Sequence, residues 1–280
     1  MEQKSTGQTK VISTKRGNVS YTVTGETNDE CLFFCHGLTA DHTMFWQQTE
    51  YFGQTYKVIC MDTPLHGDSR PYRHFSYDHV AEDMQKILRQ EKVKHAVFAG
   101  QSLGGYNCQV FYLKYPQMVD GFISIDSTPM GDRYTTKADR FWLRHAKGAA
   151  MCYPRNLMIR ACAAASCYTK DAEAWFVKEL KQYTKKELNN MYGECYRAFL
   201  EYHDSIALHC PVLLLLGEND KVGKVRQYNE MWAKDLNTPI HWIHDAGHNA
   251  NCDNPKELNC IIDEFLQNIK KQPNRFSTNV

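Results

Sequence analysis

The stretch Gly100-Gln101-Ser102-Leu103-Gly104 follows directly on the apolar run Ala96 to Ala99 and places a hydroxyl where a strand ends. A serine squeezed between a strand and a helix start takes a strained backbone, so its surroundings must close in without side chains, which glycine allows. The hydroxyl then stands clear of the sheet as a candidate nucleophile. Alone, this five-residue pattern arises by chance in roughly one chain in ten of this size, so its partners decide. An alcohol is inert near neutral pH unless a base takes its proton as it attacks. Among twelve histidines, His248 is favoured: Ala246-Gly247 makes a flexible turn after the run Ile240 to Ile243, and a loop there can bring an imidazole back over the serine. A carboxylate must hold the imidazole tautomer and stabilise the imidazolium from a strand end within one loop of the histidine. Asp220 is so placed; Asp126, at the end of the run Gly121 to Ile125, is the alternative, and Glu218 lies so close to its strand that it is expected to face away. The N–H of Leu103, directly after the serine at a helix start, is a candidate donor to a developing oxyanion.

Other reactive side chains have simpler readings. His241, His244 and His248 invite a zinc site, but the first two follow strand spacing and no cysteine or carboxylate stands at a ligand interval, so no metal is expected. Cys31 and Cys35, four apart in a strand, share a face as small buried hydrophobes, and Cys108 reads as packing. Lys137, Arg140, Arg144 and Lys147 fall on one helical face, either a solvated surface or a site for an anionic substrate or partner.

The elements that must position these groups are legible as alternation. Val19 to Val23 alternates like a strand, and Cys31 to Cys35, Val58 to Met61, Ala96 to Ala99, Gly121 to Ile125, Val212 to Leu216 and Ile240 to Ile243 are short apolar runs suited to strands buried on both faces. Helical patterns lie between several of them. Tyr77, Val80, Ala81, Met84, Ile87 and Leu88 recur at the helical period behind a Ser76 cap. The last helix is capped by Asn254, takes Pro255 in its first turn, draws a capping box from Glu257 and buries Leu258, Ile261, Ile262, Phe265, Leu266 and Ile269. Strands alternating with helices imply a mostly parallel sheet covered on both sides, the α/β class. From Ser127 to Leu208 no strand is evident, only helical stretches with a Thr184 to Glu187 capping box and the aromatic series Trp175, Phe176, Tyr183, Tyr192, Tyr196, Phe199 and Tyr202. An all-helical insertion at this point can cover the strand ends where ligands collect.

Bulk properties narrow the class. At 280 residues the chain suffices for one large domain or two small ones, and a net charge of +1 without a dense basic stripe argues against nucleic acid as partner. Eleven cysteines form an odd count in a long chain with a polar Met1 to Lys10, which points to reduced thiols and a cytoplasmic setting. No apolar run approaches the roughly 20 residues needed to span a bilayer.

Taken in order, His36-Gly37, the stretch Asp62 to Ser69, the elbow at Ser102, Gly217-Glu218-Asn219-Asp220 and Ala246-Gly247-His248 resemble the landmarks of a cap-bearing serine hydrolase of the α/β-hydrolase-fold superfamily. The resemblance covers almost all of the chain and is weakest in the insertion. It implies a mostly parallel eight-stranded sheet flanked by helices, with a helical cap before the penultimate strand: 1–126 and 209–270 as core, 127–208 as cap, 271–280 as flexible tail. It supports Asp220 as the acid, since the family's acid commonly lies three residues after such a glycine. It also makes the Leu38 N–H the second oxyanion donor. A serine at the elbow sets the chain apart from the dehalogenase and epoxide-hydrolase branches, which resemblance says use aspartate there. One departure concerns the loop after Asp62, where Leu65 replaces a frequent glycine.

The expected activity is hydrolysis of an ester, lactone or thioester of a small to medium apolar substrate through an acyl-enzyme, with no cofactor. Aromatic residues of the insertion, with Met151, Met158 and Met191, would supply the pocket, about a third of the aromatic series taking part. A carbon–carbon hydrolase or perhydrolase with the same triad, or a ligand-binding receptor without turnover, are the alternatives. A monomer or homodimer is the base-rate expectation for assembly.

Overall fold

A computed structural model of the chain describes residues 7–271. The expected tail therefore lies outside the described residues from position 272 onward. Eight strands form one sheet: β1 (Gln8–Ser13), β2 (Asn18–Thr24), β3 (Cys31–Cys35), β4 (Lys57–Met61), β5 (Ala96–Gln101), β6 (Val119–Ile125), β7 (Val212–Gly217) and β8 (Ile240–Ile243). Their spatial order is β1-β2-β4-β3-β5-β6-β7-β8. The hairpin partners β1 and β2, and β2 with β4, pair antiparallel, while every pairing from β4 through β3 to β8 is parallel. The eight-stranded, mostly parallel sheet implied by the resemblance is thus the sheet observed.

The central strands read as unbroken apolar runs because both faces are covered: every residue of β3 and β5 is buried. Phe33 of β3 stacks on Phe98 of β5 at 5.3 Å, and Phe98 meets Phe111 of the following helix at 4.5 Å, fixing the two strands whose ends carry His36-Gly37 and Ser102. Strand β1 was not legible in advance. It is an edge strand in which only Ile12 is buried, so its backbone ladder with β2, not an apolar face, holds it.

Ten α-helices are described: α1 (Trp46–Phe52), α2 (Tyr77–Gln90), α3 (Leu103–Lys114), α4 (Lys137–Met151), α5 (Arg155–Ser166), α6 (Lys170–Lys181), α7 (Lys185–Phe199), α8 (Val225–Leu236), α9 (Ala250–Asp253) and α10 (Pro255–Lys270). The Ser76 hydroxyl accepts the His79 N–H at the start of α2, and the Thr184–Glu187 capping box opens α7. At α10 the Asn254 side chain accepts the Glu257 N–H, but the Glu257 carboxylate does not return to the cap backbone. It accepts instead from the Asn254 side-chain amide and from the His244 N–H, so the expected box is replaced by a clamp on the turn after β8.

Helices α4 to α7 occupy the interval between β6 and β7 without a strand. They are tied down at several points: the Tyr183 hydroxyl donates to Ala40 C=O at 3.1 Å and accepts from Gly67 N–H at 3.0 Å. Behind α5, the Tyr168 and Thr169 N–H groups donate to the Asp253 carboxylate. Among the described residues, no helix is long and apolar enough to cross a membrane. All eleven cysteines are free; Cys31, Cys35 and Cys108 are buried.

Candidate active site

The groups singled out from the sequence collect at the carboxyl ends of β3, β5, β6, β7 and β8, where neighbouring parallel strands deliver successive loops to one edge. Ser102 is the turning point between β5 and α3, with φ 49° and ψ −116°, a conformation disfavoured for any residue with a Cβ. Two close approaches hold it. A Cβ on Gly100 would lie 2.4 Å from the Gly104 backbone, and one on Gly104 would lie 1.9 Å from Cys35 C=O, so α3 can begin against β3 only with glycine at both. The Ser102 N–H donates to Ile125 C=O at 2.9 Å, and the Ser127 hydroxyl donates to Ser102 C=O at 2.6 Å.

His248 sits in the loop after β8. Its Nδ1–H donates to Asp220 Oδ2 at 2.8 Å, and its Nε2 accepts from the Ser102 hydroxyl at 2.9 Å. A carboxylate can only accept, so the bond to Asp220 fixes the proton on Nδ1 and leaves Nε2 free to take one. Both partners are sheltered, the His248 side chain 8% and the Asp220 side chain 1% exposed. The other Asp220 oxygen accepts the Val222 N–H at 2.8 Å, so neither carboxylate oxygen is idle. Backbone bonds from Glu218 N–H to Ile243 C=O and from Asn219 N–H to Ala246 C=O zip the acid loop to the histidine loop.

Asp126 does not reach the histidine in this way. Its carboxyl accepts Gly217 N–H at 2.7 Å and Ala250 N–H at 3.1 Å, clasping the start of the acid loop and the helix behind His248. Burial, and then the charge of Asp220, push the Asp126 carboxyl well above the ordinary carboxylate range. Glu218 is exposed and accepts from the Asp245 N–H, facing away as expected.

One buried residue was missed. Gln101, the variable position of the elbow, donates from Nε2 to His248 C=O at 2.6 Å, while a Cβ on Gly37 would lie 2.0 Å from its Oε1. It therefore touches the His36-Gly37 turn, the elbow and the histidine loop at once. No spacing rule identifies it, because its partners come together only in the fold.

The His36-Gly37 turn is tied to the loop after β4 by the Thr63 N–H, which donates to His36 Nε2 at 2.9 Å. Burial lowers the pKa of His36, so its ring stays a neutral acceptor. Within that loop Leu65 takes φ 78°, the left-handed conformation a glycine adopts freely, so the loop keeps the turn although its residue differs. Asp62 organises it by accepting His42 N–H and Asp68 N–H. Asp41, His42 and Asp62 bring three potential metal-ligand atoms within 4.8 Å of one another, each already engaged in hydrogen bonds. His241 and His244 stand apart from Ser102, and His244 pairs with Glu257.

A cavity of about 160 Å³ opens at Ser102 and His248, with Leu38 and Leu103 in its wall. Leu103 is the first residue of α3, where an N–H has no acceptor within the helix. Of the aromatic series in 127–208, Tyr196 and Phe199 line this cavity, whereas Trp175, Phe176 and Tyr183 are buried in the packing elsewhere. Tyr77 of α2, which the sequence periodicity places on a helix face, also lines the wall, as do Tyr106 of α3 and Tyr228 of α8.

A family model described as the alpha/beta hydrolase fold matches residues 30–149. The chain is 23% identical to 3-oxoadipate enol-lactonase 2 of Acinetobacter baylyi over 89% of this chain and 93% of the lactonase. It is 24% identical to the sn-1-specific diacylglycerol lipase ABHD11 of Mus musculus over 86% of this chain and 82% of the lipase. Among solved structures, a thermophilic esterase from Thermogutta terrifontis superposes with a TM-score of 0.78 at 20% identity, covering 94% of this chain and 99% of the esterase.

Proposed function

We propose, from the premise that the chain is a member of the α/β-hydrolase-fold superfamily, that it is a serine hydrolase cleaving ester or lactone bonds of small, largely apolar substrates. The observation that carries this reading is the continuous relay from the Ser102 hydroxyl through His248 to Asp220. In the proposed reaction Ser102 Oγ attacks the acyl carbonyl carbon while its proton passes to His248 Nε2. The imidazolium is stabilised by Asp220, and the tetrahedral oxyanion accepts from the Leu103 and Leu38 N–H groups, each such donor lowering the barrier by about 3 kcal/mol. Collapse breaks the bond to the leaving oxygen, which takes the proton from His248. Water then attacks the acyl-enzyme by the same route, regenerating Ser102. No cofactor enters this scheme. Helices α4 to α7 act as the lid, since Leu143, Tyr196 and Phe199 close the cavity that would hold the acyl group. Relatives named as a lactonase and a lipase support the class of bond, and the modest cavity favours short acyl chains.

The test is labelling with a fluorophosphonate and peptide mapping, followed by an ester, thioester and lactone panel. The adduct should form on Ser102 and disappear in Ser102→Ala; an adduct on another residue overturns the mechanism. Asp220→Asn should lower kcat about 10⁴-fold. If Asp126→Asn does this while Asp220→Asn does not, the acid is Asp126.

A further inference from the structure

Between Arg140 and Lys170 the sequence has six basic residues, Arg140, Arg144, Lys147, Arg155, Arg160 and Lys170, and not one aspartate or glutamate, in a chain whose net charge is only +1. The same segment holds most of the large apolar side chains left in solvent. Among the described residues nine such side chains are exposed, and six of them, Phe141, Trp142, Met151, Tyr153, Leu157 and Tyr168, fall between positions 141 and 168. The other three, Val11, Tyr51 and Leu113, are scattered over β1, α1 and α3, as isolated surface hydrophobes are in any protein.

The arrangement is not a frayed core. Helix α4 keeps an inner face, on which Leu143 reaches the cavity at Ser102, while Phe141 and Trp142 point out, Trp142 being 68% exposed. Phe141 packs against Trp142 and His145 with ring centroids 5.6 and 4.3 Å apart, so the aromatic cluster is formed on the outer surface itself. Helix α5 buries Met158, Ile159 and Ala163, yet presents Leu157, Ala161, Ala164 and Ala165 to solvent before the chain reaches Tyr168. A helix apolar on both sides has an outer face without a partner.

Charge identifies the partner. Arg140 is neutralised by Asp132, Lys170 by Glu173, and Arg155 is spent on the Lys181 and Tyr183 carbonyls. Arg144 and Lys147 border a groove against α7 whose two carboxylates, Glu194 and Glu201, are both paired with Arg197. Among the described residues, Lys137, Arg144, Lys147 and Arg160 have no carboxylate within ion-pair distance. A second copy of this face would bring the same unpaired cations against one another. An anionic bilayer surface satisfies both features, taking aromatic and aliphatic side chains at the headgroup level and cations at the lipid phosphates.

We propose that the outer surface of α4 docks on an anionic phospholipid surface, with Phe141 and Trp142 entering the interface and Arg144 and Lys147 meeting the headgroups. The inference is independent of the hydrolase reading, although α4 would stand between the bilayer and the cavity at Ser102. The full chain is sedimented with unilamellar vesicles of phosphatidylcholine and with vesicles of phosphatidylcholine mixed equally with phosphatidylserine. It should pellet with the anionic vesicles, be released by salt and stay in solution with the neutral ones. Arg144→Gln and Lys147→Gln should each weaken partitioning about fivefold. Phe141→Ser/Trp142→Ser should abolish it without changing the thermal midpoint or the hydrolysis of a water-soluble ester, and Tyr51→Ser/Leu113→Ser should leave it intact. Equal binding to both kinds of vesicle, no binding at low salt, or binding indifferent to the Phe141/Trp142 pair would overturn the proposal. So would a dimer seen by light scattering in lipid-free buffer that Phe141→Ser/Trp142→Ser dissolves, because the face then belongs to a second copy.

Discussion

Gln101 and Asp126 perform no chemistry in the proposed reaction, yet both bury polar side chains whose hydrogen bonds end on the loops that do. Gln101 holds the backbone of His248 itself, so its loss displaces the base without touching substrate. Gln101→Leu should lower kcat about 10²-fold with KM near its original value, the pattern of a misplaced group rather than a lost binding contact. Parallel changes in KM and kcat would reduce Gln101 to packing. Asp126→Asn replaces one of two acceptors by an amide facing a backbone donor and leaves that N–H buried without a partner. It should cost about 1–3 kcal/mol in denaturant unfolding while sparing most of kcat, provided Asp220 is the acid.

At the scale of elements, the contact between α6 and the loop after β3 is sensitive to pH. Glu179 of α6 faces Asp41, and Gln182 donates to both carboxyls at 3.0 Å. Burial first and then Asp41 push the Glu179 carboxyl up to about 8. Asp41 goes the other way despite burial, held down to about 2 by the charge of His42 and by bonds from Gln182, Thr43 and Glu179. Lys178 and His42, the cations facing Glu179, offset only part of its shift. The sign follows from proton counting: with the folded pKa above the unfolded one, the folded chain binds more protons, so stability falls as pH rises from 4.5 to about 8 and levels beyond it. The slope from this one group is at most about 1.4 kcal/mol per pH unit. Glu179→Gln cannot ionise, so its thermal midpoint should match that of the unmodified chain near pH 5 and exceed it at pH 9. Equal midpoints at both pH values would show that Glu179 is not held neutral.

For the whole molecule, the sheet is the rigid body and the outer helices are borne by it. Strands β3, β5 and β6 lie in the centre with nearly every residue buried, whereas α4 and α5 each leave large apolar side chains exposed. Hydrogen exchange should therefore be slowest in β3, β5 and β6, opening only with global unfolding, and measurably faster in α4 and α5 through local opening. Protection of α5 equal to that of β5 would contradict this order. Such a division suits a lid, because the strand ends that position Ser102, Asp220 and His248 need not move when the helices above them do.

Seven of the eight strands, and the places in the chain from which Ser102, Asp220 and His248 come into contact, were readable in order, because each rests on a local rule: apolar runs for doubly covered strands, glycines where a helix abuts a strand, a turn after the last strand. Strand β1 was not, since its cause is the backbone ladder to β2 rather than any pattern of its own side chains. The roles of Gln101 and Asp126, the Glu179–Asp41 contact, and the entry of Tyr77, Tyr106 and Tyr228 into the cavity wall belong to the tertiary structure alone. Residue types and spacing determined which groups could react, because those follow from bonds along the chain. Which polar atoms meet across it, and which apolar faces are left facing solvent, was decided only when distant segments packed, because burial and hydrogen bonding between them have no local signature.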